Sequence, residues 1–237
     1  MAGAAQVPWL RIGAESAAII TSILLAFSID TWWDERQERG EEADIVADLL
    51  AEFRENRELL QESIRLHARY RDAAKQLSER GVVADEIDPK EAARVAFNVF
   101  QAYQTFHSKS GVLDSVLTSG KLDLLSDDQL RALLSSWPRA LAELTEQEAV
   151  TVEWLVATHI ALASQLNFGL VIPPDVLGTE SFADLDQASI EFLSSTEARS
   201  YAGKRVFWEQ ATLRDAEPLL ELIGEIVQAL ETANDGF

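Results

Sequence analysis

His67, His107 and His159 are the three histidines of a chain that has no cysteine. Any metal site or general base working near neutral pH must therefore be built from them and from carboxylates. Each sits alone on a helical pattern, with no second histidine or carboxylate at ligand spacing on the same face. The tightest acidic group outside the Glu-rich stretches is Asp123, Asp127 and Asp128, which a divalent cation could bridge. Asp127 and Asp128 also fall in the first turn after Ser126, where negative charge complements the helix dipole. Glu15 lies inside an apolar run, the kind of position that carries ion chemistry in membrane helices. Arg11, four residues earlier, shares its helix face and neutralises it. No H-E-x-x-H, G-x-S-x-G, phosphate-loop or dinucleotide fingerprint occurs. The sequence assigns no catalytic, metal-binding or cofactor-binding residue, and no cofactor. A membrane-tethered enzyme or metal-binding protein using scattered His, Asp and Glu residues stands as the alternative class.

The elements that must position these residues are helices. Among 237 residues there are 11 Gly and 6 Pro, and no alternating runs bounded by turn residues, so the fold class is all-α. Forty acidic against twenty basic residues give a net charge of −20. That excess excludes nucleic acid as a partner, since little cationic surface is left to neutralise phosphates. It equally excludes electrostatic adhesion to anionic lipid.

Membrane contact must come instead from the start of the chain. An uncharged run from Ser16 to Ile29 is flanked by Trp9 on one side and by Trp32 and Trp33 on the other. As a helix, Trp9 to Trp32 spans roughly 35 Å, about the separation of the two bilayer interfaces, where indole rings are favoured. The expected transmembrane helix is 12–33, after a short tail 1–11, with Glu15 and Asp30 near its edges. A cleaved signal peptide ending at Ala26-Phe27-Ser28 and a buried helix of a soluble protein are the rival assignments. Glu15, Ala18, Ser22 and Ala26 form a small and polar stripe suited to helix packing in lipid.

Residues 34–237 read as a helical bundle, entered by one helix that continues from the anchor to about Ser78. Val46, Leu49, Phe53, Asn56, Leu60, Ser63, His67, Tyr70, Ala74 and Leu77 recur at spacings of three and four, a coiled-coil-like seam with polar interruptions. The interleaved Glu35, Glu38, Glu41, Glu42, Glu52, Glu55 and Glu58 read as a solvated face. Gly40 is a possible hinge, and Gly81 ends the helix. Asp88-Pro89-Lys90-Glu91 opens a second long helix carrying Ala93, Ala96, Phe97, Phe100, Tyr103 and Phe106 inward. A short helix stops at Gly120, and Ser126 caps a helix that Pro138 bends or restarts. The uncharged stretch 154–174 reads as a core helix ending before Gly169, with a second membrane span as its rival. A capping box over Ser194–Glu197 opens the last helix, which Pro218 kinks.

Two stretches share a pattern. Gly13 and Glu15, followed by Ile23-Leu24-Leu25-Ala26 and Asp30-Thr31-Trp32-Trp33-Asp34-Glu35-Arg36, and then Leu117-Thr118-Ser119-Gly120-Lys121-Leu122-Asp123-Leu124-Leu125-Ser126, resemble a family of uncharacterised bacterial single-pass membrane proteins. The chain departs from that pattern in Ala14, which separates Gly13 from Glu15, and in Ser22 where glycine is usual. The resemblance implies a membrane-tethered helical domain at the bacterial inner membrane and transfers no catalytic residue. Its habit of carrying basic residues ahead of the anchor implies a periplasmic bundle. The Ser119, Gly120, Leu122, Leu124, Ser126 corner has its own physical account: a left-handed turn at Gly120, two inward leucines and a helix restart. The expected partners are the lipid bilayer and, through the stripe or the seam, a second copy or another membrane protein. The expected role is interaction, scaffolding or sensing.

Overall fold

The computed structural model describes residues 9–236, and side chains from Ile20 onward. The described residues are helical, with no strand. Helix α1, Trp9–Arg80, runs 72 residues without a break, passing straight through Gly40. Its length is roughly 110 Å. Two further long helices, α4 (Asp128–Leu162) and α7 (Thr196–Asn234), complete a three-helix bundle. Arg54 pairs with Glu231, His67 meets Glu209, and Arg199 reaches Ser78, so α7 runs antiparallel to α1. Phe53 packs edge-on against Trp137, with His67 beside Glu148 further along, so α4 runs parallel to α1.

The chain returns from the end of α1 to the start of α4 along an irregular fourth limb. It begins with α2, Pro89–Ala96, capped by Asp88, whose carboxylate accepts from the Lys90 and Glu91 N–H groups. A π-helical turn, Phe97–Gln101, follows; the backbone turns extended at Ala102, and residues 102–110 form no helix. The short helix α3, Gly111–Ser119, and a 3-10 turn, Lys121–Leu124, close the limb. The expected second long helix therefore stops at Ala96, and Tyr103, expected in the core, is exposed. Reach explains the difference: ten extended residues cover roughly 33 Å, where ten helical ones cover about 15 Å. The limb must travel most of the length of the bundle with few residues.

Beyond α4, a 3-10 turn (Phe168–Leu170), α5 (Pro174–Leu177) and α6 (Gln187–Leu193) cap the far end. The 154–174 stretch is a bundle helix only to Leu162, with Leu155, Leu162 and Leu166 buried. Pro138 and Pro218 lie inside continuous helices and restart neither. The helix starts differ by one residue from expectation: Asp127 rather than Ser126 caps α4, and Ser195 caps α7.

Every residue of the α1 seam, from Val46 to Leu77, is buried. Glu42 and Glu52, expected on the solvated face, are buried too. Two apolar cores result. One, nearer the α1 start, joins residues such as Leu49, Phe53, Trp137 and Ile223; the other, at the far end, joins Ala74, Phe100, Leu162 and Ala202. Between them lies a layer of buried polar side chains.

From Ile20 to Gly40 every described side chain of α1 is exposed, so the helix projects roughly 30 Å beyond the bundle. Among the described residues no helix is long and apolar enough to cross a membrane. The apolar part of the described projection, Ile20 to Ile29, ends at Asp30 and is about 15 Å long, half a hydrocarbon core. The rest of the expected span, including Glu15 and Ala18, and the belt residues Trp9 and Arg11 have side chains outside the described residues.

Candidate functional site

The polar layer is built where the three long helices face the limb. His67 of α1 lies between two carboxylates: its Nδ1 is 2.6 Å from Glu209 Oε2 on α7, and its Nε2 is 3.6 Å from Glu148 Oε1 on α4. Arg205, one turn before Glu209, places a guanidinium nitrogen 2.7 Å from Glu209 Oε1 and donates to the Ala102 carbonyl at 2.6 Å. It also stacks 5.7 Å over the Tyr70 ring. Both Glu148 oxygens accept from the Phe106 N–H at 3.0 Å. Thr151 and Thr212 hydrogen-bond across α4 and α7 at 3.1 Å. Arg205 and Glu209 are fully buried, and His67 and Glu148 nearly so.

Burial opposes a charge on His67, but the facing Glu148 and Glu209 carboxylates outweigh it and raise its pKa to about 9. At neutral pH the imidazole is thus protonated, a cation set between Glu148 and Glu209 beside the Arg205 guanidinium. Burial pulls the Arg205 guanidinium below its ordinary value, against the attraction of Glu209. Burial likewise raises the Tyr70 hydroxyl. With side chains this enclosed, no solute reaches the imidazole, and its chemistry is to hold a proton rather than to transfer one to a substrate.

Below the cluster, α1 supplies a ladder of side chains to the backbone of the limb. Asn56 accepts from the Lys109 N–H and donates to the Lys109 carbonyl, both at 2.7 Å. The Glu52 carboxylate accepts from the Val112 and Leu113 N–H groups at 2.8 and 3.1 Å. Because Ser110 makes no side-chain cap, Glu52 is the N-terminal cap of α3, supplied from another helix. Glu42 accepts from the Ser126 N–H at 2.6 Å. Extended backbone packed on helices has no ladder partner of its own, and these side chains satisfy it.

The residues singled out by sequence fall into separate places. His107 is exposed beside Thr105, and His159 donates to the Phe100 carbonyl with its ring on Phe168. Asp127 caps α4, and Asp128 pairs with Arg131. Gly120 holds the left-handed turn at φ 75°, with Leu122 and Leu124 packed against the first core. Ser119 donates back to Val116 within α3, and Ser126 serves as the partner of Glu42 rather than as a cap. Among the described residues no group of three or more His, Asp or Glu side chains is placed to hold a metal.

Sequence reasoning missed Glu148, Arg205 and Glu209 as partners of His67. The signal was available in α7: Ala198, Ala202, Arg205, Glu209, Thr212 and Ala216 follow the same three-and-four spacing, placing two charges inside a buried stripe. No protein-family model, curated protein or solved structure matches the chain.

Proposed function

We infer that the protein is a membrane-anchored interaction, scaffold or sensor protein, in which α1 both enters the bilayer and forms the spine of the bundle. The observation that carries this is the projecting segment of α1. Ile23, Leu24, Leu25, Phe27 and Ile29 stand on it 50 to 66% exposed. A contiguous apolar surface of that kind marks a membrane or protein contact. Ser28 supports lipid as the contact, because its hydroxyl donates to the Leu24 carbonyl at 2.8 Å and presents no unsatisfied polar group. Trp32 and Trp33 follow, with Arg36 5.9 Å over the Trp32 ring, an arrangement suited to the headgroup layer. The placement we propose with it is a single-pass anchor at a bacterial inner membrane, with the bundle in the periplasm.

The test is extraction of membranes from expressing cells with alkaline carbonate. The full chain is expected in the pellet, and Leu24→Arg with Phe27→Arg in the supernatant. Recovery of the wild-type chain as a detergent-free soluble monomer would refute the anchor. Orientation is read from Ala4→Cys and Gly236→Cys with an impermeant thiol reagent on spheroplasts; labelling at Ala4 alone would place the bundle in the cytoplasm.

A further inference from the structure

From Trp154 to Ser164 α4 and the turn that ends it carry no charged residue. A helix apolar on every side is ordinarily covered on every side, yet this stretch turns only Leu155, Thr158 and Leu162 into the core. Val156 and Ile160 stand on the opposite side, Ile160 76% exposed, with Ala157 and Ala161 exposed beside them. The Thr151–Thr212 bond sets the register of the antiparallel neighbour α7, so residues 201–208 lie level with this stretch. There Phe207 is 63% exposed and packs edge-on against the half-buried Trp208, 5.0 Å between ring centres. Aromatic and aliphatic side chains gathered in this way are the composition of a docking face. Toward the α1 start, α4 and α7 enclose a groove of about 440 Å3. Val150, Pro218 and Leu219 give it an apolar floor, Glu143, Glu146 and Asp215 line it with carboxylates, and no Lys or Arg does.

We propose that this side of α4 and α7 docks an amphipathic helix of another protein, apolar along one stripe and basic at one end. The stripe lies over Ala157, Ile160 and Phe207, where the alanines let a second backbone come close. The basic end lies over the Val150 groove, its aliphatic stems on Pro218 and Leu219 and its charges beside the carboxylates. A second copy fits worse. Pairing two such sides about a two-fold axis sets Glu146 and Asp215 against their own counterparts, in a chain of net charge −20. For an anchored chain the bilayer is out of reach: Trp33 to His67 is roughly 50 Å of helix, and the face lies beyond the level of His67 and Glu148. The proposal deepens the interaction reading above without resting on the anchor; a soluble wild-type chain would refute the anchor and leave the docking test intact.

Because the chain has no cysteine, disulfide capture tests it. The full chain carrying Ala157→Cys, in detergent micelles, is mixed with a synthetic peptide of about 18 residues, five helical turns. The peptide has leucines along one face, lysines at one end and a single cysteine within the leucine stripe. Capture is expected about tenfold faster or more than at Val83→Cys, an exposed position outside the face. A peptide with glutamates in place of the lysines should lose most of that advantage. Glu146 is exposed, so Glu146→Lys leaves the fold intact, as circular dichroism would verify; it should slow capture of the lysine peptide and speed that of the glutamate peptide. Equal capture at Ala157→Cys and Val83→Cys would overturn the proposal, as would equal capture of the two peptides. So would an Ala157→Cys chain that forms its own disulfide dimer in preference to the peptide adduct, since a second copy would then be the occupant.

Discussion

His67 owes its proton to its neighbours, and the fold owes part of its stability to that proton. The folded pKa of about 9 lies above the unfolded value of 6.5. The stabilisation is therefore complete below pH 6.5 and is lost as the pH rises through about 9. Wild-type urea midpoints are expected to fall between pH 7 and 9.5, while His67→Gln, less stable at neutral pH, shows a much flatter profile over that window. The partner positions behave differently. Glu209→Gln leaves Arg205 and His67 buried with one carboxylate between them, and removal of one member of a buried ion pair costs about 3–5 kcal/mol. Equilibrium denaturation at pH 7 checks the value; a loss near zero would mean that the cluster is hydrated.

At the scale of elements, the limb is held by α1 rather than by its own propensities. Glu52→Ala removes the only cap α3 has and leaves the Val112 and Leu113 N–H groups unpaired, for a loss of about 1–3 kcal/mol. Asn56→Ala exposes both backbone groups of Lys109 to the same penalty, and hydrogen exchange should accelerate at residue 109 before it does in α4. Gly120→Ala meets no neighbour within 4 Å but must hold φ 75°, so its cost of about 1–2 kcal/mol is purely conformational. The α1 seam, Gly81, the Asp88 cap and Gly120 were legible in the sequence because each rests on local periodicity or on a turn that only certain residues permit. The limb was not legible. Phe97 to Phe106 carries apolar residues at helical spacing, and the preference for extended backbone comes from distance to be covered and from acceptors on Glu148 and Asn56 that are remote in sequence. Glu42 and Glu52 misled for the same reason: their charge suggests solvent, whereas their role is to receive backbone N–H groups from another part of the chain. The polar interruptions at Asn56, Ser63 and His67 did announce a buried polar layer, without naming its partners.

The whole molecule divides at Glu41. From Ile20 to Gly40 α1 stands exposed; after it the helix is the spine on which the rest of the bundle packs. A chain beginning at Glu41 should fold with a melting temperature within a few degrees of the full protein, since residues 20–40 bury no surface against the bundle. Differential scanning calorimetry of both forms reads this, and a large drop would show that the projection contributes to the core. The same division keeps the exposed apolar surface at one end and the cap formed by α5 and α6 at the other, the two separated by the buried cluster.

An uninterrupted helix also fixes phase. Each residue of α1 turns the chain by about 100° and advances it by 1.5 Å, and Gly40 leaves that winding unbroken. One alanine inserted after Gly40 would therefore rotate the bundle by more than a quarter turn about the helix axis while changing its height by little more than a bond length. Two inserted residues would face it nearly backwards, and seven would restore its bearing to within about 20° while lifting it roughly 10 Å. The azimuth of the bundle is written in the count of residues between Trp33 and Glu41.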